Sequence, residues 1–257
     1  MSRMNEVFSR GKAFIAFITA GDPSLDVTEQ LIPAMAEAGA DLIEIGIPFS
    51  DPIAEGEVIL SASARALAAG TTTDKIFAMV ERVRSKTNVP LAFMTYANPI
   101  FVYGCDRFMA RAAAGGINAV IVPDLPFEEK DEFLACCQAQ QIDLISLIAP
   151  TSRQRIAMIA AEAEGFVYCV SSLGVTGVRS EISTDIAEMV GLVKTVRNIP
   201  CAVGFGISTP EQARAMAAHA DGVIVGSAIV KIAAQYGAEC VQPICDYVRM
   251  MKTAITA

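Results

Sequence analysis

Short continuous apolar runs alternate along the chain with longer stretches whose apolar positions recur every three or four residues. The first kind suits strands buried on both faces, the second helices packed on one side. Strands are predicted at 13–19, 41–47, 91–95, 119–122, 143–148, 166–171, 201–204 and 222–225. Helices are predicted at 24–38, 58–69, 73–85, 106–114, 128–138, 153–163, 185–196 and 209–219, after a short starting helix at 5–11. Another helix starts after Gly226-Ser227, and the chain from Tyr236 onward is mostly helical. Punctuation supports this reading. Ser24 can cap the first long helix, Gly39 can close it, and Pro33 inside it removes one hydrogen bond and bends it. Thr209-Pro210-Glu211-Gln212 has the form of a capping box with proline at the first helical position.

Eight strand-then-helix units without a linker, low-complexity segment or charge block, in 257 residues, predict a (β/α)8 TIM barrel, a single domain over residues 1–257. Extra short helices are expected near the exits of strands 2 and 8. In such a barrel, function belongs to the loops that leave the C-terminal ends of the strands.

Composition narrows the chemistry. Hydrophobic residues make up 53% and charged ones 19%, enough for a large core, and the net charge is −8. That acidity argues against nucleic acid or an anionic membrane as the main partner. No apolar run approaches a membrane span, and the first residues, MSRMNEVFSRGKAF, lack the apolar core of a signal peptide. Seven cysteines without a CxxC spacing read as reduced thiols, so a cytoplasmic location is expected. His219 is the only histidine, which leaves no His-rich metal site, and no metal is expected.

Candidate chemistry collects at the predicted exits. Glu44 lies inside the apolar run LIEIGI, where a carboxyl flanked by Ile43 and Ile45 should have a raised pKa and serve as both acid and base. Asp51, Glu55 and Glu57 follow on the same exit loop, and Asp124 follows strand 4. Glycines recur at successive exits: Gly174-Val175-Thr176-Gly177, Gly204-Phe205-Gly206 and Gly226-Ser227. Exits 7 and 8 with a helix N-terminus form the usual phosphate seat of this barrel class. None of the seven lysines falls at a strand exit, which disfavours a Schiff-base aldolase. Carboxylate proton transfer on a phosphorylated substrate remains.

FITAGDP, EIGIPFSDPIAEG, YANPIFVYG, PDLPFEE, SSLGVTG, GFGIS and DGVIVGSAIV, in this order over nearly the whole chain, resemble the tryptophan synthase alpha subunit family. The resemblance implies retro-aldol cleavage of indole-3-glycerol phosphate to indole and glyceraldehyde 3-phosphate. It implies Glu44 as the acid–base residue and Glu55 as the carboxylate that bonds the indole N–H. Phe17, Met94, Tyr96, Leu125, Tyr168 and Phe205 would line the indole pocket, and Thr176 would close over it. Gly177, Gly206, Gly226 and Ser227 would seat the phosphate. Pro48, Asp51 and Asn98 would face a beta subunit in an alpha2beta2 assembly; that partner carries pyridoxal phosphate, and this chain needs no cofactor. The sequence departs from the family at one place, reading AEGE where ADGP is usual. Glu55 therefore carries one methylene more than the family's Asp and has to fold back, or its loop has to shift. The alternatives are a chain that mainly binds and activates a beta partner, its lyase activity weakened, and another phosphate-binding barrel such as a sugar-phosphate isomerase.

Overall fold

The computed structural model describes residues 3–170, 182–204 and 206–256. Eight parallel strands, β1 (Ala13–Thr19), β2 (Leu42–Gly46), β3 (Leu91–Met94), β4 (Ala119–Ile121), β5 (Asp143–Ile148), β6 (Val167–Val170), β7 (Cys201–Gly204) and β8 (Gly222–Val225), close in sequence order into a barrel. Closure is made where Ile15 of β1 pairs with Ile224 of β8. The outer layer begins with α2 (Leu25–Glu37), α3 (Glu57–Ala68), α4 (Thr73–Val83), α5 (Ala97–Tyr103), α6 (Cys105–Ala114) and α7 (Asp131–Ala139). It continues with α8 (Arg153–Glu162), α9 (Ile182–Val196), α10 (Pro210–Ala217), α11 (Ser227–Tyr236) and α12 (Val241–Thr256). None of the described helices is long and apolar enough to cross a membrane.

Local chemistry accounts for the helix ends. Ser24, Thr72 and Ser152 each accept a backbone N–H at the starts of α2, α4 and α8. Thr209 and Gln212 form the reciprocal capping box of α10. Helix α2 runs on through Pro33 and is closed by Gly39, whose φ of +112° is costly for other residues.

Strand alternation sorts the core in two. One set of side chains meets the helices, among them Phe14, Ile43, Phe93, Val120 and Val223. The other fills the barrel: Ala13, Ile15, Leu42, Ala92, Ala119, Ile121, Ile145, Tyr168, Ala202 and Ile224. Helix α1 (Arg3–Val7) closes the end opposite the exits, bringing Met4 and Val7 into this inner cluster. Phe8 follows with its ring 5.5 Å from that of Phe166. The base is also pinned from the C-terminus, because Lys252 of α12 donates to the Lys12 carbonyl and to Asp41, each within 2.8 Å. Asp41 accepts the Phe14 N–H through that same carboxylate oxygen.

Several elements differ from the sequence reading, α7 among them, which starts at Asp131 after a separate 3-10 turn over Phe127–Glu129 rather than at residue 128. Residues 97–103, read as exit loop, form α5, so an additional helix follows β3 as well as β2 and β8. The Asp124 carboxylate on the β4 exit accepts the Ala97 N–H, supplying from a distant segment the cap that Tyr96 does not. The starting helix ends at Val7 rather than Gly11, and α9 starts at Ile182, three residues before its predicted start. Met4 has no exposed surface, so Met4→Ala leaves a hole in the plug. It should cost about 2–5 kcal/mol of stability, measured as a lower urea midpoint.

Candidate active site

Glu44 occupies the inward face of β2, between Leu42 below and Gly46 above. Its register partners are Phe17 on β1 and Ala92 on β3. Because β2 is buried along its whole length, the carboxyl has no water to face; Glu44 has 0% of its surface exposed. Neither of its oxygens has a hydrogen-bond partner among the described residues. Desolvation alone pushes its pKa up to about 8. The Tyr168 hydroxyl is held well above its usual value, first by burial and then by the charge of nearby Glu44.

Glycine makes room for the aromatic walls around this acid. A Cβ on Gly46 would stand 2.6 Å from the Phe17 ring, and one on Gly204 would stand 2.5 Å from the Tyr168 hydroxyl. Both rings therefore lie directly over backbone. Phe17 also packs with Met94, Val58, Ile59 and Ala62 and with Val230, joining β3, α3 and α11 into one apolar wall.

Glu55 precedes Gly56, which starts α3 without a side-chain cap. Glu57, read as a loop acid, is instead the first helical residue, where a negative charge favours the helix dipole. The Glu55 carboxyl is partly buried, and its Oε2 is shielded without a partner among the described residues. Desolvation pushes its pKa up to about 7. Tyr96 lies beside it: its hydroxyl accepts the Ala54 N–H at 3.0 Å, and its ring centroid is 5.5 Å from that of Phe49. Burial, and the carboxylates of Glu55 and Asp124 beyond it, push the Tyr96 hydroxyl up to about 12, opposed by its backbone hydrogen bonds.

The other expected site residues divide. Gly226 precedes α11 and Ser227 begins it, so first-turn N–H groups without partners inside the helix open at the eighth exit. Gly206, at φ +76°, is exposed on the seventh. Leu125, half-buried on the fourth exit, packs against the core outside the barrel and lines a cavity of about 200 Å³ with residues of α7 and α8. Thr176, Gly177 and Phe205 lie outside the described residues. Of the expected docking residues, Asp51 and Asn98 are exposed, whereas Pro48 is buried within the chain. Sequence reasoning missed Ile53, Phe101 and Val102, which are 81%, 70% and 76% exposed on the second and third exits. The apolar run Ile100-Phe101-Val102 in a supposed loop was the available signal. Among the described residues, no three His, Cys, Asp or Glu side chains converge as metal ligands.

A closed (β/α)8 barrel with two desolvated carboxyls at its C-terminal mouth defines an acid–base enzyme. The family model for the tryptophan synthase alpha chain matches residues 4–256. The tryptophan synthase alpha chain of Geobacter sulfurreducens is 50% identical over 246 residues, covering 95% of this chain and 93% of that one. That of Lacticaseibacillus casei is 45% identical, covering 100% and 97%. The structure of tryptophan synthase subunit alpha from Legionella pneumophila superposes with a TM-score of 0.90 at 36% identity, covering 100% and 99%. The chain belongs to the tryptophan synthase alpha chain family. It is an indole-3-glycerol-phosphate lyase of tryptophan biosynthesis and needs no cofactor of its own, pyridoxal phosphate residing in the beta chain.

The burial of Glu44 also sets a pH dependence of stability. The native carboxyl keeps its proton until about pH 8, whereas the unfolded one releases it near 4.5. Between those values the unfolded chain holds fewer protons, so stability falls as pH rises. Glu44→Gln cannot titrate, and its Tm relative to the native chain should climb from pH 5 to pH 8. A difference independent of pH would contradict a neutral buried Glu44.

Proposed function

We propose that Glu44 and Glu55 divide the proton transfers of indole-3-glycerol phosphate cleavage. The single observation that supports this most is the pair of desolvated carboxyls with different pKa values at one barrel mouth. Near neutral pH Glu44 mostly holds its proton, and Glu55, the more acidic of the two, is about half ionised. Glu44 gives its proton to C3 of the indole, which becomes tetrahedral, while the Glu55 carboxylate accepts the indole N–H and stabilises the positive charge on nitrogen. Glu44, now ionised, takes the proton of the side-chain hydroxyl. The carbon–carbon bond breaks, its electron pair restores the C2–C3 double bond, and the aldehyde leaves as glyceraldehyde 3-phosphate. Glu44 ends protonated, ready for the next turnover.

Phe17, Met94, Tyr96, Tyr168 and Phe205 are assigned to the indole, with Leu125 at its edge. Gly177, Gly206, Gly226 and Ser227 are assigned to the phosphate, and Thr176 to closure. The backbone donors at the start of α11 suit a dianion on an acidic chain.

For the partner, the reading is a beta chain in an alpha2beta2 assembly in the cytoplasm. Ile53, Phe101 and Val102 expose apolar surface beside Asp51 and Asn98, a combination suited to a protein interface. Pro48 would act there only by shaping its turn. Related chains occur in solved tryptophan synthase structures from Mycobacterium tuberculosis, with a TM-score of 0.89 at 33% identity.

Activity requires Glu55 ionised and Glu44 protonated. The kcat/KM for indole release should therefore rise through about pH 7 and fall above about pH 8, a narrow bell. Glu44→Gln should lower kcat by roughly 10²-fold or more. A variant with most of the native rate would refute the assignment. Phe101→Asp should weaken association with a beta chain by about tenfold or more, read by titration, while leaving the isolated chain's lyase rate unchanged.

A further inference from the structure

We propose that Tyr96 is a positioning residue for Glu55: its hydroxyl, by accepting the Ala54 N–H, fixes the backbone one residue before the second carboxyl. This rests on the reading of Glu55 as the group that meets the indole nitrogen.

Among the described residues, no hydrogen bond holds Glu55 by its own side chain. Its shielded Oε2 has no hydrogen-bond partner among the described residues, so the carboxyl takes its place from the backbone. That backbone leaves β2 at Gly46 and is not regular again until Glu57, and Ile53 and Ala54 within it face solvent. Tyr96 grips this stretch twice. Its hydroxyl takes the Ala54 N–H at 3.0 Å, one residue before Glu55, and its ring packs on Phe49 near the other end. The gripping residue is itself fixed. Tyr96 is 2% exposed, and the next peptide N–H, that of Ala97, is bonded to Asp124 at 2.9 Å. Three exit loops are thereby linked, and the second carboxyl stands at the end of the linkage.

Removing the hydroxyl should cost the fold little, because Ala54 is exposed and its N–H can turn to water. The effect on a carboxyl that must meet one nitrogen is larger, since a misplacement of about 1 Å can cost roughly 10²-fold in rate. A positioning role thus predicts much lost turnover and little lost stability.

Tyr96→Phe keeps the ring and removes only the oxygen. Indole release from indole-3-glycerol phosphate should show kcat down about 10- to 100-fold with KM within about threefold. The acid limb of the pH profile should move, and the alkaline limb should stay. Amide hydrogen exchange over residues 48–57 should quicken, while Tm shifts by only a few degrees. Against a Glu55→Gln background, Tyr96→Phe should have little further effect on kcat. Native kcat, or lowered kcat without faster exchange, would overturn the proposal; so would full additivity with Glu55→Gln. If the native chain releases no indole, the reading of the reaction fails. The exchange data then decide positioning alone, faster exchange supporting it and unchanged exchange overturning it.

Discussion

The site depends on a closed barrel denying water to the inward face of its strands. An acid on an open sheet would be solvated from one side and would ionise normally. On β2, Glu44 shares its face with Leu42 and its register with Phe17 and Ala92, and among the described residues neither of its oxygens has a hydrogen-bond partner. Desolvation makes ionisation costly, and that cost turns an ordinary glutamic acid into a proton donor at neutral pH.

Size complementarity completes the site. Aromatic walls inside a narrow barrel need facing positions without side chains, and Gly46 under Phe17 and Gly204 under Tyr168 provide them. These glycines serve packing rather than turns, since neither has a positive φ. The second carboxyl follows another logic, because it stands on irregular backbone where burial is partial and position comes from a neighbouring loop. The two acids consequently differ in their backbone support, one on a strand and the other on irregular backbone before a helix, as well as in acidity.

Much of this was legible in the sequence because its causes are local. Continuous apolar runs, Ser24 and Thr209 as caps, and an acid between Ile43 and Ile45 each carry their physical meaning within a few residues. What was hidden is long-range. Helix α5 takes its cap from Asp124, 27 residues away, so the segment after Tyr96 read as a loop. The Ala54–Tyr96 contact spans 42 residues and joins two exits that no periodicity connects. Leu125 follows Asp124 on the fourth exit, and its packing against the outer core depends on α7 and α8, which no local pattern shows. Whether a turn proline such as Pro48 faces solvent depends on the fold of its neighbours, and so does the exposure of Phe101.

The hydrogen bonds of Lys252 tie the last helix to the entry of the first strand. Its ammonium group, in the last helix, secures the Lys12 carbonyl and the Asp41 carboxylate that also holds the first strand at Phe14. The β1–β8 seam joins segments about as far apart in sequence as the chain allows, so it closes against a large loop entropy. During synthesis the first strand is therefore made long before its seam partner and its clasp. The dry interior that gives Glu44 its acidity is complete only when β8 pairs with β1, so a chain cut short of β8 has the acid but lacks its surroundings.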